Sequence, residues 1–351
     1  MRKRIDCEEV RKMKSIKKLI CYISCLAVVC GCLTGCGKSG TSDDDEFLVV
    51  TTSYAAYDWA MNIIGKNPAD ARVVYLLDDG VDLHSYQPTV DDLMTVSKAD
   101  VFIYVGGESD EWVEDAVKNM KNDDAVIINM MESLGDKVYE EETVEGMQEE
   151  EHHHDHDADE DEDHDHHHEE GETEYDEHIW LSLKNAKILT DVITVGLMRA
   201  DEKNASLYRE NADAYKLMLD DLDWKYTNVV NAASQKTLLF ADRFPFRYMV
   251  SDYGLEYYAA FSGCSSETEA SFDTVIFLAK KVDELGLNVV LTVDGSGDDV
   301  AKTVVNNTAS GDKKILEMNS MQSVAESDIA NGSTYLSIME DNLAVLTQAL
   351  Q

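Results

Sequence analysis

Short, dense apolar runs alternate along this chain with stretches whose apolar residues recur every three or four positions. Phe47-Leu48-Val49-Val50-Thr51-Thr52 is rich in β-branched residues and predicts a strand; 54–64 carries a helical pattern, and 71–77 (ARVVYLL) a second strand. Thr89-Val90-Asp91-Asp92 has the spacing of a capping box and opens a helix to Lys98. A buried strand follows at 101–106, a helix at 109–120 and a strand at 125–129. Strand–helix alternation of this kind predicts a parallel α/β sheet. The pattern stops at 132–176, which has no apolar period and is expected to be a disordered insertion.

Between 201 and 234 there is neither Gly nor Pro, and Tyr208, Ala212, Tyr215, Leu219, Leu222, Tyr226, Val229 and Ala233 step by fours and threes along one helical face. Such a helix is roughly 48 Å long at 1.5 Å per residue. It exceeds the diameter of an ordinary domain, so it is expected to join two, a coiled-coil dimer being the alternative. Strands at 237–242, 255–261, 288–294 and 313–319 and helices at 272–285, 298–307 and 333–350 complete the pattern. The expected fold is two parallel-sheet α/β lobes, 47–200 and 235–351, joined by one long rigid helix.

The N-terminus does not belong to either lobe. Lys14, Lys17 and Lys18 precede an apolar run of 12 residues, Leu19 to Cys30, which is short for a membrane span. Leu33-Thr34-Gly35-Cys36 then resembles the bacterial lipobox. Residues 1–35 are read as a signal peptide, or else as an anchor that stays uncut. Cys36 is read as the lipidated residue and 36–46 as a flexible tether. Met13 is an alternative start. Six of the seven cysteines lie at or before Cys36, so Cys264 has no intrachain partner in the body.

The net charge of −40 changes the picture. An acidic surface of this size repels nucleic acid and anionic membrane and attracts cations. Residues 151–170 read EHHHDHDADEDEDHDHHHEE, in which His152, His153, His154, His156, His164, His166, His167 and His168 are interleaved with acids. They suit weak, exchanging ligands that raise local metal concentration, or are incidental in a solvated linker. Only two other histidines exist. His84, in GVDLHSYQPT, and His178, in EHIWLS, each lie in a loop ahead of a helix, where the strand ends of a parallel sheet put ligand sites. Asp294 ends the apolar run NVVLTVD and either faces a crevice or caps a helix. Two imidazoles and a carboxylate suit Zn²⁺, and Mn²⁺ if more oxygens join; the histidine tract favours zinc.

GVDLHSYQPT and HIWLS resemble the paired signatures of the zinc/manganese-binding lipoproteins of bacterial ABC importers. The acidic His-rich segment ahead of HIWLS, the long helix, Tyr253-Gly254-Leu255, the run at 266–271 and Tyr335-Leu336-Ser337-Ile338-Met339 follow in the same order. The resemblance implies a monomeric, lipid-anchored extracytoplasmic receptor. One metal ion would lie between the lobes on His84, His178 and Asp294 and be delivered to a membrane permease. It also implies a His or Glu ligand ten residues before Tyr253, where this chain has Arg243, which cannot ligate. Either the metal keeps water in that position, or a local shift places another group there, or Asp242 replaces the ligand with Arg243 turned away to another acid; the last is the expectation. Cys264, Glu267 and Glu269 are further candidates, the two glutamates at positions the family does not normally use. The other function classes are a manganese receptor of the same fold, a surface adhesin and a zinc hydrolase; no HExxH or nucleophile elbow supports the last.

Overall fold

The computed structural model describes residues 46–65, 71–148, 174–265 and 269–351. The first lobe begins with β1 (Phe47–Thr51), α1 (Tyr54–Ile64) and β2 (Ala71–Tyr75). Then come α2 (Val90–Val96), β3 (Val101–Tyr104), α3 (Trp112–Lys118), β4 (Val126–Asn129) and α4 (Met130–Leu134). The strands are all parallel, in the order β2-β1-β3-β4. Thr89 caps α2 through the box its spacing predicts, with Asp92 answering on the Thr89 backbone.

Two helices lead to the second lobe, α5 (Leu183–Ala200) and α6 (Ala205–Ala232). The 28 residues of α6 are about 42 Å long. Tyr208, Ala212, Tyr215, Leu219, Leu222 and Tyr226 are buried as the periodicity predicts, but the last buried position is Val230 instead of Val229. A straight helix turns at 3.6 residues, so a strict 3.5-residue stripe drifts by about 20° per heptad and has left the buried face by Val229, almost six turns after Tyr208. That face packs on α5 and α1 and on the C-terminal helix within the same molecule.

The second lobe runs β5 (Thr237–Phe240), α7 (Arg247–Tyr253), β6 (Glu256–Ala259), α8 (Phe272–Leu285), β7 (Val289–Val293) and α9 (Asp299–Asn306). It ends with β8 (Lys314–Met318), α10 (Glu326–Ala330) and α11 (Tyr335–Ala349). Its sheet is again parallel, ordered β6-β5-β7-β8. Among the described residues no helix is long and apolar enough to cross a membrane.

One expectation is corrected. Residues 132–148 and 174–176, expected to be disordered, are ordered. The segment 138–148 leaves the first lobe and is strapped along the second. The Tyr139 amide donates to the Tyr248 hydroxyl (3.0 Å), Glu142 pairs with Arg247 (3.0 Å), Glu145 with Lys281 (3.4 Å), and the Gln148 amide donates to the Ala260 carbonyl (2.9 Å). Isolated acids meeting basic partners supplied by α7 and α8 leave no apolar period to read. The eight tract histidines, Cys36 and Glu267 lie outside the described residues.

Candidate metal centre

β2 hands the chain to the 3₁₀ turn Leu83–Ser85, which Asp82 caps by accepting from the His84 amide (3.0 Å). This aims the His84 ring into the cleft, where its Nδ1 lies 2.8 Å from Ser109 Oγ. His178 precedes a second 3₁₀ turn, Ile179–Leu181, and is fully buried. Asp176 Oδ1 lies 2.9 Å from His178 Nδ1 and also accepts from the His178 amide (2.9 Å). A carboxylate on Nδ1 fixes the proton there and turns the Nε2 lone pair outward, the arrangement that supports metal-binding imidazoles. The two Nε2 atoms face each other 3.2 Å apart.

The His84 pKa is lowered to about 3, first by burial and then by His178, with Arg243 adding and Asp82 opposing. The His84 ring is therefore neutral at any physiological pH. Glu177 stands behind it: Oε1 accepts from the Ser109 amide (2.9 Å), and Oε2, 3.6 Å from His84 Nδ1, makes no hydrogen bond. Burial pushes the Glu177 carboxyl up. Gly107 makes room for it, since a β-carbon there would sit 2.4 Å from Glu177 Oε1.

The second lobe departs from expectation. Asp242 does not face the metal site. Its Oδ2 accepts from the Val293 amide (2.9 Å) and the Ser296 hydroxyl, and its Oδ1 from the Arg243 amide (2.8 Å), so it closes the end of its own sheet. β5 ends at Phe240, and in the turn beyond it Asp242 faces inward while Arg243 reaches across to the first lobe. Its Nη2 pairs with Asp82 Oδ2 of the first lobe (3.1 Å). Asp294 Oδ1 accepts from the amide and the hydroxyl (2.8 Å) of Ser320, whose carbonyl takes Trp180 Nε1 (2.8 Å) from the His178 turn. Burial raises the Asp294 carboxyl, against the Ser320 hydrogen bonds and the positive charge of Arg243. Glu269 is exposed.

His84, His178 and Cys264 form a group whose ligating atoms all lie within 4.8 Å of one another; Asp294 is not in it. Burial, reinforced by Glu141, Asp176 and Glu177, pushes the Cys264 thiol well above the ordinary range. His84 and Cys264 open onto a cavity of about 320 Å³ lined also by Glu108, Glu111, Glu141, Glu174 and Glu177. Sequence reasoning missed Asp176, Glu177 and Ser109. The only signal was the acidic pair directly ahead of His178.

The chain is 28% identical over 333 residues to "High-affinity zinc uptake system protein ZnuA" of Bacillus subtilis (strain 168), covering 93% of this chain and 97% of that protein. It is 27% identical over 336 residues to "Zinc-binding lipoprotein AdcA" of Streptococcus pneumoniae (strain R6), covering 96% of this chain but only 61% of that longer protein. The crystal structure of the Zn(II)-bound ZnuA-like domain of Streptococcus pneumoniae AdcA superposes with a TM-score of 0.65 at 24% identity, over 87% of this chain and 99% of that one, a likeness of fold. The family model described as "Zinc-uptake complex component A periplasmic" matches residues 49–349, which is nearly the whole body of the protein; the chain belongs to that family.

Proposed function

We propose that this protein is an extracytoplasmic receptor that captures Zn²⁺ as cargo and passes it to the membrane permease of an ABC importer, without chemical turnover. The observation that carries this reading is the Nε2–Nε2 approach of 3.2 Å. Two such nitrogens hold either a shared proton or a metal ion between them, and the spacing fits the ion as well as the proton. Two nitrogens at 2.0–2.1 Å from a tetrahedral ion are separated by about 3.3 Å. The names of the Bacillus and Streptococcus relatives agree with zinc. His84 and His178 are the first two ligands in this reading, and Cys36 is the lipid anchor of a monomer. The tract at 151–170 gathers cations by weak contacts and the attraction of its acids.

Metal analysis of the purified chain tests this. One tightly retained zinc is expected, lost by at least 100-fold in affinity in His84→Ala and in His178→Ala. Deleting 151–170 should remove weak sites and keep the tight one. A wild-type chain that retains no zinc, or a tight site that vanishes with the tract, would refute the assignment.

A further inference from the structure

Two imidazoles do not complete a coordination shell, and among the described residues no acid joins the group of ligating atoms around them. Asp242 spends both oxygens inside its own lobe. Asp294 accepts twice from Ser320 under the charge of Arg243. Asp176 orients His178. Among the described residues, the group whose ligating atom falls beside both histidines is Cys264. We propose that the Cys264 thiolate is the third ligand, so that the site is a His₂Cys centre that takes Zn²⁺ and related thiophilic d¹⁰ dications and discriminates against Mn²⁺. The proposal rests on the receptor reading and names the cargo class of that site.

Several features of the fold bring the sulfur there. The loop after β6 crosses the His178 ring at Gly263, where a β-carbon would stand 3.2 Å from the ring and 3.0 Å from the Phe244 carbonyl, so any side chain there would press on both. The next residue is Cys264, whose amide is fixed by Glu141 Oε1 (3.0 Å) on the strap. Zn–S and Zn–N bonds of about 2.3 and 2.0–2.1 Å in a tetrahedron separate S and N by about 3.6 Å. The 4.8 Å limit on the group therefore leaves at most about 1.2 Å to close. On binding, the S–H bond breaks, a metal–sulfur bond forms, and the proton leaves to solvent through the glutamate-lined cavity. Two neutral imidazoles and one thiolate leave a dication with a net charge of +1. Glu177, 2% exposed with Oε2 unpaired, lies on the Nδ1 side of His84 and offsets that charge without reaching the ligand face. Thiolate ligands select zinc over manganese, which prefers oxygen.

The test uses the full chain with Cys7, Cys21, Cys25, Cys30, Cys32 and Cys36 changed to serine, so that Cys264 is the one thiol. A single equivalent of Co²⁺ should give a sulfur-to-cobalt charge-transfer band in the near ultraviolet, absent after Cys264→Ser. That variant should bind Zn²⁺ at least 10-fold more weakly while Mn²⁺ affinity changes less than threefold, as read by competition titration. No charge-transfer band in the Cys264 protein overturns the proposal without needing the variant to fold. So does an unchanged ratio of zinc to manganese affinity in Cys264→Ser. If zinc is still held tightly and needs His84, only this inference falls; if no zinc is held at all, the receptor reading falls with it.

Discussion

Asp110 lies 4% exposed under the turn that carries Ser109 to His84. Its Oδ2 accepts from the amides of Val105 (2.8 Å) and Gly106 (3.0 Å) and from the Thr52 hydroxyl (3.2 Å), while Oδ1 has no partner and is where a proton fits. Burial, opposed by the Gly106 amide and reinforced by Glu177, raises its pKa to about 7. An unfolded aspartate titrates near 3.9, so the folded state keeps a proton that the unfolded state loses between about pH 4 and 7. The stabilisation is complete below that window and is lost as pH rises through 7, by at most about 1.4 kcal/mol per pH unit. Asp110→Asn keeps an acceptor for the three donors and cannot ionise. Urea unfolding from pH 5 to 8 should show the variant gaining on the wild type as pH rises; parallel curves would contradict the assignment. At this scale the sequence was partly legible. His84 and His178 stood out because no other histidine lies outside the tract. The roles of Asp242 and Arg243 did not, because strand alternation was the only guide to them and β5 ends before them, at Phe240. Cys264 was legible as a lone thiol and a further ligand candidate but not as a neighbour of the histidines, since its distance to them depends on Gly263 crossing a ring from another lobe.

The elements around the site are held by their ends. Ser182 caps α5 by accepting from the Asn185 amide (3.0 Å) and donates to Asp252 (2.6 Å) of α7, fixing the turn behind His178. Ser182→Ala is expected to cost about 1–2 kcal/mol in denaturant unfolding, the usual worth of a helix cap, with Ser182→Thr largely restoring it. A variant as stable as the wild type would show that the turn is held by Trp180 and Tyr335 alone. Those two are joined by the Tyr335 hydroxyl donating to the Trp180 carbonyl (2.7 Å). Long periodic elements were the most legible part of the chain: α8 has the limits the pattern predicts, and α6 differs only at its ends and its last turn. The five-residue helices α4 and α10 were not foreseen, because one turn offers no repeat to detect.

At the scale of the molecule, two sheets with the same strand pattern face one cleft, and the alternation of strand and helix announced both. The connections between them were not announced. The chain passes to the second lobe along the strap and returns before α5. It crosses again through α6 and comes back once more at its end, where the Glu326 amide donates to the Asp78 carbonyl (2.6 Å), Ala325 bridges to Asp79, and the Tyr54 hydroxyl donates to the Ser333 carbonyl (2.8 Å). Asp82–Arg243 adds an ion pair across the same seam. Contacts of such different sequence separation cannot be read from any local window. The strap has a thermodynamic consequence. Neither lobe can melt without stripping the other of Glu142–Arg247, Glu145–Lys281 and the Gln148–Ala260 bond, so the two should denature as one cooperative unit. Scanning calorimetry should give a single endotherm whose calorimetric and van't Hoff enthalpies agree, moving as a whole to higher temperature with zinc. Replacing Arg247 and Lys281 by alanine together should begin to split it, whereas two transitions in the wild-type protein would mean the strap does not couple the lobes.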